Sequence, residues 1–310
     1  IGLSDLKVKS GFYKIIKNKG FFKKEIIGDI TNPDFINKNI IKKDLNVVFH
    51  FAAQGLVSEA VKFPEKTIKS NILGTYNILH ACNENKKIKT LVIATTDKVY
   101  YEHNLKNTES YKLGGKEFYS ASKAGAEHII KAFINTKKRN GLNIGVVRAG
   151  NVLGGGDYGK DRLLTDIINS LKREEDIYLR NPSSIRPWQY ILDSIYGYLL
   201  VGFYCNKEKK DEIFNLNSTL NNKYTVSQFV SLFVKYWGPK KKIKIMQEKK
   251  IKFYESDILK IDSTKAKSKL GWSPVYEMKE MCNNIAMYEK SRNKFDLASN
   301  QINDFLNKIN

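Results

Sequence analysis

Cysteine, histidine and proline are scarce in this chain, with three, four and six among 310 residues. Cys82, Cys205 and Cys282 stand far apart, and neither they nor the histidines show metal-ligand spacing. That excludes a zinc module and leaves reduced, unpaired thiols as the expectation. No run of eighteen apolar residues occurs, and the opening IGLSDLKVKS lacks the apolar core of a secretory signal, so a soluble cytoplasmic protein is expected. Arginine is also rare, supplying seven of the 53 basic residues. The net charge of +21 would suit a polyanionic partner, but the lysines are spread over the whole chain among many Asn and Ile. A codon bias toward these three residues produces the same excess. The expectation is a solvated lysine surface with no nucleic-acid or membrane partner, still compatible with a small anionic ligand.

What is present is enough apolar sequence, 42% of the chain, for one large core or two unequal ones. Short apolar runs at 25 to 30, 46 to 53, 90 to 96 and 144 to 150 alternate with helical patterns and end in small or polar residues. That grammar predicts an α/β chain with a Rossmann-type doubly wound parallel sheet, whose ligands sit at the strands' carboxyl ends. Between the second and third runs, Ile68, Ile72, Tyr76 and Leu79 mark a helix that begins at Pro64. Past Gly150 come two loop-rich stretches, NVLGGGDYGKDRLL and LRNPSSIRPWQY, broken by Pro182 and Pro187. Beyond about 220, a helix closed by Gly238, a basic strand KKIKIMQ, two further helical stretches and a polar tail from about 295 predict a smaller C-terminal α/β domain. The expected partition is a dinucleotide domain over 1 to 150, with 185 to 217 returning to it, and a substrate domain from 151 to 184 and 218 to 310.

The front lacks one thing such a sheet normally opens with: a strand, a Gly-x-Gly-x-x-Gly turn and a helix whose N-terminus holds a pyrophosphate. In the usual order 3-2-1-4-5-6, the run at 25 to 30 then reads as strand 3 and the next as strand 4. Strands 1 and 2, and roughly 30 to 50 residues with them, are expected upstream of Ile1.

The chemistry concentrates in two phrases. In YSASK, Tyr119 and Lys123 are four apart and share one helix face. A tyrosine is a poor base near neutral pH, but an ammonium and a cationic nicotinamide ring beside it would favour the phenolate. By itself the pair also fits a surface Tyr and Lys one turn apart. In TLVIATTDK, however, Thr96, Asp97 and Lys98 fall at the carboxyl end of a buried strand, where the reacting end of a dinucleotide is expected.

Taken together, VFHFAAQ, NILGTYNIL, TTDKVYYE, LGGKEFYSASK, VRAGNVLGGGDYGKDRL, RNPSSIRPWQY and DSTKAKSKLGW resemble the CDP-glucose 4,6-dehydratases, a branch of the extended short-chain dehydrogenases/reductases. The resemblance runs from about 25 to 290. It departs at the absent front, at Thr96 where Ser is common, at Gly55 where Pro is usual, and in a shorter stretch between Lys98 and Tyr119. It implies a lyase with tightly bound NAD, in which Tyr119 takes the proton from the sugar 4-hydroxyl, Lys123 assists it and Thr96 hydrogen-bonds that hydroxyl. Elimination across carbons 5 and 6 then needs an acid and a base, which the resemblance assigns to Asp97 and Lys98. Asp97 must hold a proton and Lys98 must shed one, and burial favours both.

The same resemblance implies cofactor contacts from Asp29, Ile30, Ala52, Ala53, Gln54 and Thr95, in addition to Tyr119 and Lys123. Small residues that simply end buried strands explain several of these equally well. Asn71 is expected to tie neighbouring loops together, and His50 to be a strand residue rather than a catalyst. For the nucleotide sugar it points to Asn151, Arg162, Arg180 and Arg186, and Trp188 either stacks on the base or packs. Arg148 joins these arginines in a region of a chain that otherwise uses lysine, and bidentate guanidinium donors suit a diphosphate. A homodimer or homotetramer and a role in deoxysugar or lipopolysaccharide O-antigen synthesis follow from the resemblance alone. Two alternatives remain: another sugar-nucleotide epimerase or dehydratase, such as a UDP-N-acetylglucosamine 4,6-dehydratase or 4-epimerase, and a non-catalytic sugar-nucleotide-binding remnant.

Overall fold

Two seven-residue runs, TLVIATT and NIGVVRA, are buried along almost their whole length, as strands covered on both faces must be. Their side chains alternate between two cores: Leu91 and Ile93 enter one apolar cluster, Val92 and Ala94 the other. This alternation is the doubly wound arrangement, with helices on both sides of a parallel sheet. The chain was described from a computed structural model, covering residues 1–4, 11–17, 19–101, 106–139, 141–218, 223–248 and 259–310.

In chain order come β1 (Gly2–Ser4), α1 (Phe12–Ile16), β2 (Glu25–Ile27), α2 (Pro33–Ile40), β3 (Val47–His50), α3 (Val57–Lys62) and α4 (Pro64–Ile68). A π-turn over Lys69–Leu73 leads into α5 (Gly74–Glu84), followed by β4 (Thr90–Thr96), α6 (Phe118–Thr136) and β5 (Asn143–Ala149). Then follow β6 (Asn151–Leu153), α7 (Leu163–Arg173), β7 (Ile177–Leu179), β8 (Trp188–Tyr190), α8 (Ile191–Glu208) and β9 (Glu212–Leu216). The last elements are α9 (Val226–Trp237), β10 (Ile245–Gln247), α10 (Thr264–Leu270), α11 (Met278–Lys290) and α12 (Lys294–Ile309).

The main sheet is parallel in the order β3-β4-β5-β9, with Thr90 opposite Asn143 and Thr96 opposite Ala149. Ile78 and Leu79 of α5 and Ile130 and Phe133 of α6 cover one face, and Tyr198, Val201 and Cys205 of α8 cover the other. Short parallel pairs β6-β8 and β10-β7 carry the chain to a third cluster, where α7, α9, α11 and α12 pack around Phe229, Phe233, Met281 and Ile285. Among the described residues no helix is long and apolar enough to cross a membrane.

Three sequence expectations need correction. The run at 25 to 30 is not the first strand: β1 precedes it and pairs with it in parallel, Gly2 opposite Glu25. Three residues are too few to show a period, so β1 left no pattern to read. The polar tail from 295 is helix α12, which seats Phe305 between Tyr196 and Tyr276. Its stripe was masked by Gln301, a polar residue on the buried face that accepts from Tyr190 Oη at 3.2 Å and donates to the Asn284 carbonyl at 2.9 Å. The basic strand is confined to its last three residues, Ile245–Gln247.

Candidate active site

β4 ends in Thr95 and Thr96, and the chain then tightens into a single turn over Asp97–Val99. Thr96 shapes that turn, its Oγ1 accepting the Lys98 backbone N–H at 3.3 Å. Opposite it, α6 starts with a capping box: Glu117 accepts the Tyr119 and Ser120 backbone N–H groups at 2.6 and 2.9 Å, and Ser120 Oγ accepts the Glu117 N–H at 3.3 Å. Tyr119 is thereby fixed in the first turn, with Lys123 one turn on. Gly115 makes this start possible, since its φ is +127° and a Cβ there would lie 2.4 Å from the Ala121 nitrogen.

These pieces wall a cavity of about 510 Å³ at the carboxyl ends of β4 and β5. Of the residues singled out in the sequence, it gathers Ala53, Thr95, Thr96, Asp97, Lys98, Tyr119, Lys123, Asn151, Arg162, Arg180, Arg186 and Trp188. Asp29, Ile30, Ala52 and Gln54 are not among its walls. Asp29 is exposed and accepts the Thr31 N–H at 2.8 Å, whereas the Ile30 side chain is committed to the core. The Ile30 backbone carbonyl accepts from Asn77 Nδ2 at 2.9 Å. Ala52 packs on that same core, and the Gln54 amide closes on Leu56, donating to its carbonyl at 3.0 Å and accepting its N–H at 2.8 Å. Asn71 does tie loops together: at the π-turn it accepts from Gln54 N at 2.8 Å, and it donates to Gln54 O at 2.9 Å and to Ser122 Oγ at 2.8 Å.

Two further residues turn to the core: of the two readings left open for Trp188, the packed one is found, and Arg148 does not join the diphosphate arginines. Trp188 is 1% exposed, stacked on Phe229 at 4.8 Å, with Nε1 donating to the Tyr224 carbonyl at 3.3 Å, so it serves the core behind the cavity. Arg148 does not reach the cavity. It is buried in a pair with Glu127, with Nε at 2.9 and 3.0 Å and Nη2 at 2.5 Å from the carboxylate, while Nη1 donates to Tyr100 Oη at 3.0 Å. His50 is a buried strand residue whose Nε2 lies 3.2 Å from Thr75 Oγ1; burial, then the charge of Lys123, pushes its pKa down to about 3.

The electrostatics of the cavity follow from burial. Asp97 is 3% exposed, and burial raises its pKa above the usual carboxylate range, against the pull of Lys98, Thr96 and Arg186. Its Oδ1 accepts from Thr96 Oγ1 at 3.0 Å, and its buried Oδ2 has no protein partner. Burial pushes the Tyr119 phenol up to about 12, with the Thr96 hydroxyl drawing it back and the Asp97 charge adding to the rise. Lys123 is lowered by burial to about 8, opposed by Glu127, and its Nζ donates to the Ala94 carbonyl at 3.0 Å.

The chain matches the model of the family described as GDP-mannose 4,6 dehydratase over residues 15–285. It is also 34% identical, over 275 residues, to a CDP-glucose 4,6-dehydratase of Salmonella typhimurium, covering 86% of this chain and 76% of that one. The chain belongs to this dehydratase family. A dTDP-D-glucose 4,6-dehydratase of Dictyostelium discoideum is 28% identical over 187 residues, 56% of this chain and 42% of that one. Among solved structures, the dTDP-glucose 4,6-dehydratase of Bacillus anthracis in complex with NAD superposes with a TM-score of 0.75 at 22% identity, over 94% of this chain and 89% of that one. The UDP-glucuronic acid 4-epimerase of Bacillus cereus in complex with UDP-glucuronic acid and NAD gives 0.79 at 21% identity, over 93% and 90%. These likenesses show the shared fold.

Sequence reasoning missed three residues at this family member's site. Ser58 donates to Asp161 Oδ2 at 2.8 Å across the cavity rim, holding a residue whose φ is +57°. Tyr198 lines the wall from α8, edge-on to Phe51 at 4.9 Å. Glu127 lies one turn past Lys123 and accepts from Thr95 Oγ1 at 2.7 Å. Only Glu127 left a signal, the continuation of the Tyr119 and Lys123 spacing by four more residues.

Proposed function

We propose that the chain catalyses the NAD-dependent 4,6-dehydration of a nucleotide hexose, with CDP-D-glucose as substrate and CDP-4-dehydro-6-deoxy-D-glucose and water as products. The observation that carries this reading is one cavity holding Tyr119, Thr96, Asp97 and Lys98 together with Arg162, Arg180 and Arg186. An epimerase has no use for an acid beyond Tyr119, whereas a buried carboxyl with an orphan oxygen suits the protonation of a leaving hydroxyl.

The residues present fit the nicotinamide end of NAD. Ala53, Thr95, Tyr119 and Lys123 face the cavity beside Gly55, where a Cβ would meet nothing within 4 Å. Bound there, NAD would supply the acceptor for the hydride of carbon 4 and its return to carbon 6. Tyr119 Oη removes the proton of the 4-hydroxyl, and Thr96 Oγ1, on the same cavity wall, hydrogen-bonds that hydroxyl. Lys123 supplies positive charge on the Tyr119 face of α6. With a ketone at carbon 4 the proton on carbon 5 is acidic; Lys98 Nζ removes it and later gives it back to carbon 5. Asp97, whose pKa burial raises, protonates the 6-hydroxyl as it departs as water. Arg162, Arg180 and Arg186 supply planar donors for the diphosphate, and Asn151 an amide for the sugar.

The rest of the reading is a Rossmann domain over 1 to 150 with 185 to 217, and a substrate domain from 151 to 184 and 218 to 310. A separate apolar cluster built mainly from 153 to 179 and 226 to 305, which Trp188 and Tyr190 join from the returning segment, supports it. Buried free thiols at Cys82, Cys205 and Cys282 suit a reducing cytoplasm. We place the enzyme there as a homodimer or homotetramer in deoxysugar supply for a surface polysaccharide, without nucleic-acid or membrane partners. The test is incubation of the full natural chain with NAD and, separately, CDP-, UDP-, dTDP- and GDP-hexoses, followed by mass spectrometry. Loss of one water from CDP-glucose alone is expected, loss from another nucleotide moves the substrate, and an unchanged mass throughout refutes the proposal.

A further inference from the structure

The dehydration just proposed leaves the protein out of proton balance, and the inference here rests on that reading. Tyr119 ends a turnover with the proton of the 4-hydroxyl. Asp97 ends it without the proton that left in water. Lys98 takes and returns one proton at carbon 5 and is unchanged. The site is ready for a second substrate only after one proton has passed from Tyr119 to Asp97.

Thr96 shares one cavity wall with both. Its Oγ1 donates to Asp97 Oδ1 at 3.0 Å, and its hydroxyl is the group that draws the Tyr119 phenol back toward its usual value. The Lys98 backbone N–H at 3.3 Å pins the same oxygen in the strand-ending turn. Thr96 and Asp97 are 6% and 3% exposed, so bulk water has little access to either. We propose that Thr96 is a proton relay that resets the enzyme between turnovers. The Tyr119 O–H bond breaks as its proton passes to Thr96 Oγ1, and the proton already on Thr96 passes to Asp97 Oδ1. Thr96 keeps one proton throughout, Tyr119 becomes phenolate, Asp97 becomes a neutral carboxyl, and no electrons or co-reactants are needed. Asp97 Oδ2 has no protein partner to oppose a flip of the carboxyl that presents the new proton to the next substrate. A phenol pushed to about 12 releases its proton only beside a positive charge, so the relay runs in the cofactor-loaded protein.

The test compares wild type, Thr96→Ser and Thr96→Val as full-length, cofactor-loaded enzymes on CDP-glucose, in single-turnover and steady-state experiments. Wild type and Thr96→Ser are expected to give linear time courses. Thr96→Val is expected to release one product per site and then slow by about 100-fold, the usual worth of a positioned proton-transfer group. Its steady rate should rise with the concentration of a small weak-acid buffer, and infrared difference spectra after one turnover should show Asp97 still ionised. Equal slowing of first and later turnovers, with no buffer dependence and a neutral Asp97, overturns the relay and leaves Thr96 only a contact to the 4-hydroxyl. Should Thr96→Val not fold, Thr96→Ala carries the same comparison. A wild type that dehydrates no nucleotide hexose removes the dehydratase reading, and the relay with it.

Discussion

Two carboxylates, Asp97 and Glu127, lie on either side of the end of β4 and are equally buried, at 3% and 4% exposure, yet the protein treats them in opposite ways. Glu127 is fully engaged: Arg148 meets it with three hydrogen bonds and Thr95 adds a fourth. Burial alone would lower the guanidinium's pKa, but the hydrogen bonds and charge of Glu127 outweigh it and hold Arg148 above its usual value. Asp97 accepts from one hydroxyl, and the charges of Lys98 and Arg186 do not outweigh burial, so its pKa is raised and one oxygen is left without a hydrogen-bond partner. The difference is what separates a brace from a reactive group: a paired buried carboxylate is locked, and an under-partnered one is available to chemistry.

The largest effect expected from breaking this contrast is on rate. Asp97→Asn keeps the shape and removes the proton, so water loss from the nucleotide sugar should fall by about 1,000-fold in a product assay by mass spectrometry. Arg148→Met acts on the other carboxylate. It strands the Glu127 charge and should cost about 3–5 kcal/mol in urea unfolding, while Glu127→Gln combined with Arg148→Met recovers most of that loss. A smaller effect is expected where the cavity rim is seated on the C-terminal helices. A Cβ on Gly155 would sit 2.2 Å from Tyr288 Cδ1, so Gly155→Ala should destabilise by about 1–3 kcal/mol and weaken substrate binding more than turnover, read as KM against kcat.

The smallest effect is a pH signature. A carboxyl whose folded pKa is raised binds more protons folded than unfolded, so its favourable contribution is complete below the unfolded value near 4 and is lost as pH climbs through the folded one. Asp97→Asn should therefore melt with wild type at acid pH and slightly above it at neutral pH. A constant offset between the two melting curves would show that Asp97 titrates normally in the fold.

Much of this contrast was legible in the sequence. The spacing of Tyr119 and Lys123 and the position of Asp97 at the end of a buried run fixed which groups meet, because helix faces and strand ends are local properties. Continuing the same spacing by four residues reaches Glu127, but nothing local says that its partner is Arg148 on the neighbouring strand. That pairing depends on the β4-β5 register, which places Thr95 opposite Arg148. For the same reason Arg148 was grouped with the diphosphate arginines and Trp188 was left between stacking on the base and packing, when both are consumed by contacts from distant segments. Ile30 was assigned by its place after a strand, but its side chain turns inward to fill the space that Gly74 of α5 leaves, where a Cβ would lie 2.5 Å from Ile30 Cδ1. Helix α12 escaped because one buried polar residue, Gln301, interrupts the apolar stripe.

The most direct test of the account follows one atom. CDP-glucose carrying deuterium on carbon 4 is incubated with the full-length, NAD-loaded enzyme, and the product is examined by NMR. The account predicts a 4-keto-6-deoxy sugar with the deuterium on carbon 6. Deuterium still on carbon 4 of a sugar that keeps its 6-hydroxyl would contradict it.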